Sequence, residues 1–262
     1  MGLQTLDRAM AALHALGAGG AEGMRLVDLQ KELRLSKPTA HRLMLSVLSH
    51  GMVQHEAGQR RYRLGPGLQL LAQSATHPGP DLRRICTPAV HRLAEESGDT
   101  VFVSARDGLF TVCLSRATGD YPIRAITVDV GSRRPLGVGA GGLAILGGLP
   151  AAEAKRIVEV LRPKLKAFPL CSAAQIVKSQ QAARTSGFAL SDEKVALGVR
   201  AVGVAIRDAE GAPIAAIGLA AIRQRVLADR IPQLVAMLVR ERIVIEKALV
   251  SGPTGPSFSR KE

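Results

Sequence analysis

Lys37, Thr39, His41 and Arg42 fall within six residues of one another, and Arg60, Arg61 and Arg63 follow as a second cationic cluster. Side chains of these types donate hydrogen bonds to base edges and phosphate oxygens, and a guanidinium does so through two bonds at once. Between Arg34 and Arg63 there are six Lys/Arg and a single acidic residue, Glu56. That imbalance points to a polyanionic partner.

The elements that must carry these residues are legible. Ser36 can cap a helix by accepting a free N–H of the first turn, and Pro38 falls where a missing N–H does no harm. Ala40, Leu43, Met44, Val47 and Leu48 recur at helical spacing as an apolar face. Ser36, Lys37, Thr39, His41, Arg42, Ser46 and Ser49 remain for the outside, and Gly51 ends the run. Val53–His55 and Arg61–Leu64 then read as two short strands around a Glu56-Ala57-Gly58-Gln59 turn. Met24–Leu33 predicts a helix with Leu26, Leu29 and Leu33 inward, and Arg34-Leu35 turns into Ser36. An earlier helix, Leu3–Leu16, should bury Leu6, Met10, Leu13 and Leu16. Helix, tight turn, helix and basic hairpin make a winged helix-turn-helix for duplex DNA, with Arg42 and Thr39 best placed for bases and the wing arginines for phosphates. The plainer alternative, a helical protein-binding scaffold, does not account for the basic wing.

The 262 residues suffice for two domains. A net charge of +13 is spread along the chain, with nine Lys/Arg against five Asp/Glu in residues 1–76 and 26 against 17 afterwards. Global charge therefore supplies non-specific attraction to nucleic acid, and specificity falls to the helix and wing. MGLQTLDRAM lacks the basic head and apolar core of a signal peptide. Pro135–Ala152 is uncharged but holds six glycines, so it reads as loop and helix rather than a membrane span. Cys86, Cys113 and Cys171 fit neither a disulfide framework nor zinc spacing, which leaves buried thiols in a reducing cytoplasm. No cofactor or metal is expected.

Gly65–Ala75 predicts a short helix, and His77-Pro78-Gly79-Pro80 a break. Asp81 caps a helix to Glu96, with Leu82, Ile85, Ala89 and Leu93 inward, expected as a connector. Strands are predicted at Thr100–Arg106, Phe110–Arg116, Ile123–Val130, Val199–Arg207 and Pro213–Ile222, the last two joined by a turn at Asp208–Gly211. Helices are predicted at Gly142–Leu149, Ala151–Leu161, Ala173–Ser186 and Leu227–Leu249. This order describes an α+β domain with an antiparallel sheet. The expected division is 1–76 winged helix-turn-helix, 77–97 linker helix, 98–250 second domain and 251–262 disordered tail.

With both halves placed, the chain resembles the IclR family of bacterial transcriptional regulators over about residues 3–250. The likeness rests on Ser36-Lys37-Pro38-Thr39-Ala40-His41-Arg42-Leu43, Gly51, Gly58 and Tyr62-Arg63-Leu64-Gly65 in the first half. In the second it rests on Leu93–Gly98, Val130-Gly131-Ser132-Arg133-Arg134-Pro135-Leu136, Ser186–Ala189, Gly198-Val199-Arg200, and the Asp208–Gly211 turn before Ala215-Ala216-Ile217. The resemblance implies a GAF-like effector-binding domain and dimers or tetramers acting as repressors or activators on palindromic operators. It places DNA contacts on Lys37, Thr39, His41, Arg42, Arg60, Arg61 and Arg63. It places an effector pocket at Gly139, Ala140, Gly141, Gly142, Leu146, Ser191, Val199, Ala201, Gly218 and Ala220.

The chain departs from the family there. Ser191 stands where Asp is common, Ala201 where Cys or another small polar residue is common, and Gly218 and Ala220 where serines are common. Gly142-Leu143 replaces Gly-Lys, and the loop lacks the usual threonine. These changes predict an apolar pocket wall and a hydrophobic or aromatic carboxylate-like effector ahead of a small polar acid, or a regulator with no effector. A competing class comes from Gly137-x-Gly139-x-x-Gly142, a dinucleotide fingerprint that also needs a following strand ending in an acid. Glu159 has the right distance but lies in a helical stretch. Hydrolysis has no support: histidines 14, 41, 50, 55, 77 and 91 all precede the pocket region, and neither a Gly-x-Ser-x-Gly nor a His-Glu-x-x-His motif occurs. The acidic pairs Glu95-Glu96 and Asp192-Glu193 read as solvated surface.

Overall fold

Residues 4–56, 58–74 and 81–251 are described in the computed structural model, which divides into two units, Met1–Gly79 and Pro80–Glu262. The first contains α1 (Gln4–Ala18), β1 (Met24–Arg25), α2 (Leu26–Leu33), α3 (Lys37–Ser49), β2 (Val53–Glu56), β3 (Arg61–Leu64) and α4 (Pro66–Ser74). Its core is aliphatic: Ala12, Leu16, Leu29, Leu43, Met44, Val47 and Val53 close around Tyr62. On α1 the expected stripe is only half right. Leu16 is buried and Leu13 packs against the core, but Leu6 and Met10 are 57% and 48% exposed. The small residues Ala12 and Ala15 take the inward face instead, and so let α1 approach its neighbours closely.

Met24 and Arg25 are not helical. Gly23, at φ +65, turns the chain so that Met24 and Arg25 pair with Tyr62 and Arg61, giving a three-stranded antiparallel sheet in the order β1-β3-β2. Ala57 of the hairpin turn lies outside the described residues.

The second unit contains α5 (Leu82–Ser97), β4 (Thr100–Asp107), β5 (Phe110–Thr118), β6 (Arg133–Pro135), α6 (Gly139–Gly148), α7 (Ala151–Leu161), α8 (Ala173–Ser186), β7 (Ala189–Asp192), β8 (Val199–Arg207), β9 (Pro213–Ile222) and α9 (Ile231–Ser251). The strands form one antiparallel sheet in the order β6-β5-β4-β9-β8-β7. Helices cover both faces. Val101, Val103, Val202, Val204, Ile206, Ile217 and Leu219 meet α5 and α9 on one side, while Ala205 and Ala216 meet the α6–α8 layer on the other.

Three expectations change. The stretch expected as a connector forms α5, capped by Asp81 Oδ1 accepting from the Arg84 N–H at 3.1 Å. Its Cys86, Ala89, Val90 and Leu93 are core residues of the second unit, because that face is apolar enough to cover a sheet. Ile123–Val130 is not a strand. Arginine side chains, rather than a neighbouring strand, satisfy two of its carbonyls: Arg116 Nη1 donates to Val128 at 2.9 Å, and Arg134 donates to Thr127. The additional strand β7 pairs with β8, Leu190 opposite Val202 and Ser191 opposite Ala201. The 77–80 break and residues 252–262 of the tail lie outside the described residues.

Asp99 ties three elements together. Its carboxylate, 1% exposed, meets Arg225 Nε at 2.6 Å and Arg230 Nη1 at 2.9 Å. Both guanidinium groups also donate to the Ser97 carbonyl at 3.0 Å, so the end of α5, the start of β4 and the approach to α9 share one ionic joint. Hydrogen bonding to Asp99 holds the Arg225 guanidinium above its ordinary pKa. Asp99→Ala leaves two cations without their anion; it should destabilise the second unit by about 3 kcal/mol, read as a lowered urea midpoint.

Candidate nucleic-acid interface and effector cavity

Helix α3 starts at Lys37 after Ser36, whose backbone is extended. The Ser36 hydroxyl does not cap the helix as expected: its Oγ lies 2.8 Å from Thr39 Oγ1 instead of bonding a backbone N–H. Arg34, in the left-handed region at φ 51, closes α2 by donating its N–H to the carbonyls of Gln30 and Lys31. Burial of Ala40, Leu43, Met44 and Val47 turns Lys37, His41, Arg42, Leu45, Ser46 and Ser49 outward. Among the described residues, Lys37, His41 and Arg42 have no ion pair or side-chain hydrogen bond, so their donors are available. Leu45, 47% exposed in the middle of this polar face, escaped sequence reasoning because its type suggested core.

The wing separates its three arginines. Arg60 is exposed at the turn with φ 51 and carries no internal partner among the described residues. Arg61 Nη1 donates to the Gly23 carbonyl at 3.0 Å, and Arg63 Nη2 lies 3.1 Å from Glu56 Oε2. Two of the three expected phosphate contacts are thus already engaged in holding the hairpin. The wing is anchored to the end of α3 by a close backbone crossing. Gly65 N–H donates to the Met52 carbonyl at 2.8 Å and Gly67 N–H to the Gly51 carbonyl at 3.0 Å. A Cβ on Gly65 would overlap the Gly51 carbonyl oxygen and lie 2.9 Å from the Val53 backbone.

In the second unit a cavity of about 30 Å³ opens beside the start of α6. Of the expected pocket residues, Gly139, Gly142, Ser191, Val199 and Ala201 line it. Ala140, Gly141, Leu146, Gly218 and Ala220 do not. Leu146 is fully buried in the core beneath α6. Ala140 packs on β8, where a Cβ at Gly203 would come within 3.0 Å of its backbone. The Phe102 ring covers Gly218, whose Cβ would stand 3.2 Å from it, and clusters with Ala220.

The opposite wall was missed, and it is polar: Ser104 from β4, Thr111 from β5, Thr127, Ser132 and Arg134 all face the cavity. The expected apolar lining therefore holds in part, through Phe102, Val128, Val138, Val195, Val199 and Ala201. Arg134 is the charged group of the lining. Its guanidinium donates to the Thr127 carbonyl, and no carboxylate lies within ion-pair distance among the described residues. Burial draws its pKa below the ordinary guanidinium value.

Two family comparisons match nearly the whole chain. The IclR helix-turn-helix domain matches residues 5–57, and the bacterial transcriptional regulator IclR C-terminal domain matches residues 75–241. The chain belongs to the IclR family of bacterial transcriptional regulators. Among curated relatives, the HTH-type transcriptional repressor AllR of Escherichia coli K12 is 28% identical over 233 residues, covering 87% of this chain and 84% of AllR. Its Salmonella paratyphi A counterpart is 27% identical over 232 residues, with the same coverage. The Thermotoga maritima IclR structure shares the fold at a TM-score of 0.67 and 20% identity, over 95% of this chain and 99% of that one. A Microbacterium hydrocarbonoxydans IclR homolog, solved in complex with 4-hydroxybenzoate, does so at 0.70 and 19%, over 95% and 100%.

The dinucleotide reading fails on topology. The sheet is antiparallel, α7 rather than a strand follows α6, and Glu159 is on α7 beside Arg162 at 2.7 Å. Among the described residues no His/Cys/Asp/Glu group could hold a metal, and no helix is long and apolar enough to cross a membrane. The three cysteines are free and buried, and burial pushes the Cys86 thiol up to about 12 and Cys113 to about 11.

Gly65→Ala should force the wing off the end of α3. The expected outcome is a loss of about 1–3 kcal/mol in the stability of the first unit, with weakened DNA binding in a fluorescence-anisotropy titration.

Proposed function

We propose that this IclR-family chain is a cytoplasmic repressor that binds a palindromic operator as a homo-oligomer and is modulated by a small acid in the second-unit cavity. The observation that carries the DNA half is the outer face of α3, where Lys37, His41 and Arg42 project without internal partners from a helix whose other face is core. Arg42 and Thr39 are assigned to base edges, Lys37 and Arg60 to phosphates, and Ser36 to holding Thr39 in place. Leu45 offers an apolar contact for a thymine methyl. Arg61 and Arg63 shape the wing, and reach phosphate only by sharing or exchanging their present partners.

Two copies acting on an inverted repeat place their α3 helices in successive major grooves, about 34–36 Å apart or a multiple of it. Exposed Leu6 and Met10 on α1 favour burial against a second copy. The repressor assignment is supported by the AllR relatives, and the effector assignment by the homolog holding 4-hydroxybenzoate and by the cavity at the matching domain. A ligand acts by binding one arrangement of the oligomer more tightly than another.

Duplexes recovered by in vitro selection supply the site for a direct test. Arg42→Ala should cost about 1–3 kcal/mol at the selected site and much less on random DNA. Equal weakening on both would show that Arg42 grips backbone only.

A further inference from the structure

The cavity has a positive electrical character. Arg134 reaches it from β6 and is its charged lining residue, with no Asp or Glu in the wall. One carbonyl, that of Thr127, accepts from its guanidinium, and the rest of the donor fork is unsatisfied by protein among the described residues. The other partly buried arginines of this sheet divide: Arg106 meets Glu153 at 2.8 Å and Arg200 meets Asp192 at 2.8 Å, whereas Arg207 donates to the Gly211 carbonyl at 2.7 Å without an ion pair. Asp129 acts on Arg134 only through space, its carboxylate being paired with Arg116, and a half-buried cation without a direct counter-ion is costly.

Two further groups make the same demand. Ser104 and Ser191 line the cavity from opposite sides and are 7% and 3% exposed. Neither hydroxyl has a hydrogen-bond partner among the described residues. Both hydroxyls stay accessible from the cavity, so these two and Arg134 together offer it a set of hydrogen-bond donors. The start of α6 adds to the field: the Cβ position of Gly139, at φ +78, lies 3.9 Å from Arg134 Nη1, which brings the guanidinium close to the first turn of that helix.

We infer that Arg134 is the charge-reading residue of this cavity, selecting a compact carboxylate anion over its uncharged amide. This rests on the reading of the cavity as the effector site, and assigns the anchor to a side chain rather than to the glycine-rich loop. The carboxylate accepts from the guanidinium fork, Ser104 and Ser191 take remaining acceptors, and the Phe102, Val199 and Ala201 wall receives the carbon skeleton. At about 30 Å³ the cavity has room for about one water, so any organic acid has to displace lining side chains, and a short skeleton displaces fewest.

The test uses the full-length protein, with pyruvate, benzoate and their neutral amides as probes, in thermal-shift and calorimetric titrations of wild type, Arg134→Met and Arg134→Lys. At least one acid should stabilise wild type and bind at least tenfold tighter than its amide. Arg134→Met should lose that preference while Arg134→Lys keeps part of it. Equal binding of acid and amide, undiminished acid binding by Arg134→Met, or no binding of any acid overturns the inference. Operator binding without ligand separates the two levels. Wild-type affinity in Arg134→Met shows that the DNA-binding reading stands whatever the acids do, whereas no sequence-specific binding by wild type removes that reading itself.

Discussion

The close approach of α6 to the sheet is the constraint on which the second unit depends. A glycine-rich helix lies on a strip of small side chains, Ala201, Gly203 and Ala205 on β8 and Ala216, Gly218 and Ala220 on β9. At Gly203 there is no room for a Cβ without pressing on Ala140. With bulk excluded from both surfaces, the Phe102 ring is the large group on that side, and it occupies the space above Gly218. The cavity survives where α6 begins and the strip ends, bounded by Ser104, Ser191 and Arg134. Larger residues on the strip would lift the helix and dissolve the cavity together with its polar wall.

The first unit solves a different problem, holding an exposed cationic helix in a fixed attitude with a very small core. Tyr62 is its keystone, buried in β3 and 4.5 Å from the His55 ring. The wing's own arginines are spent on local order, Arg61 on the Gly23 carbonyl and Arg63 on Glu56, so that Lys37, His41, Arg42 and Arg60 can face solvent on a rigid frame. Pre-ordering of this kind lowers the entropy lost when the duplex is bound.

Much of this was legible in the sequence, for reasons that can be traced residue by residue. Helix α3 declared itself because its burial is one-sided, and β8 and β9 because Asp208–Gly211 is a strong turn signal, realised with Gly211 at φ +82 and Asp208 Oδ1 accepting from the Ala212 N–H at 2.7 Å. Met24-Arg25 was hidden because two residues carry no period, and they pair with a strand nearly forty residues away. Leu6 and Met10 misled because hydrophobicity marks a face without saying what covers it. The polar half of the cavity was illegible for a deeper reason. Strand β4 is covered on both faces, so alternation could not show that Phe102 and Ser104 face α6 while Val101 and Val103 face α5. Family resemblance pointed to the α6 side of the pocket, and Arg134 lay within a quoted motif without its direction being readable.

The most direct measurement of the central claim is a genome-wide occupancy map of the wild-type protein in the cell. Discrete peaks sharing an inverted repeat, with half-sites one helical turn or a multiple of it apart, are the predicted result. Diffuse occupancy following local charge alone, with no shared sequence, would contradict the assignment of α3 as a reader of bases.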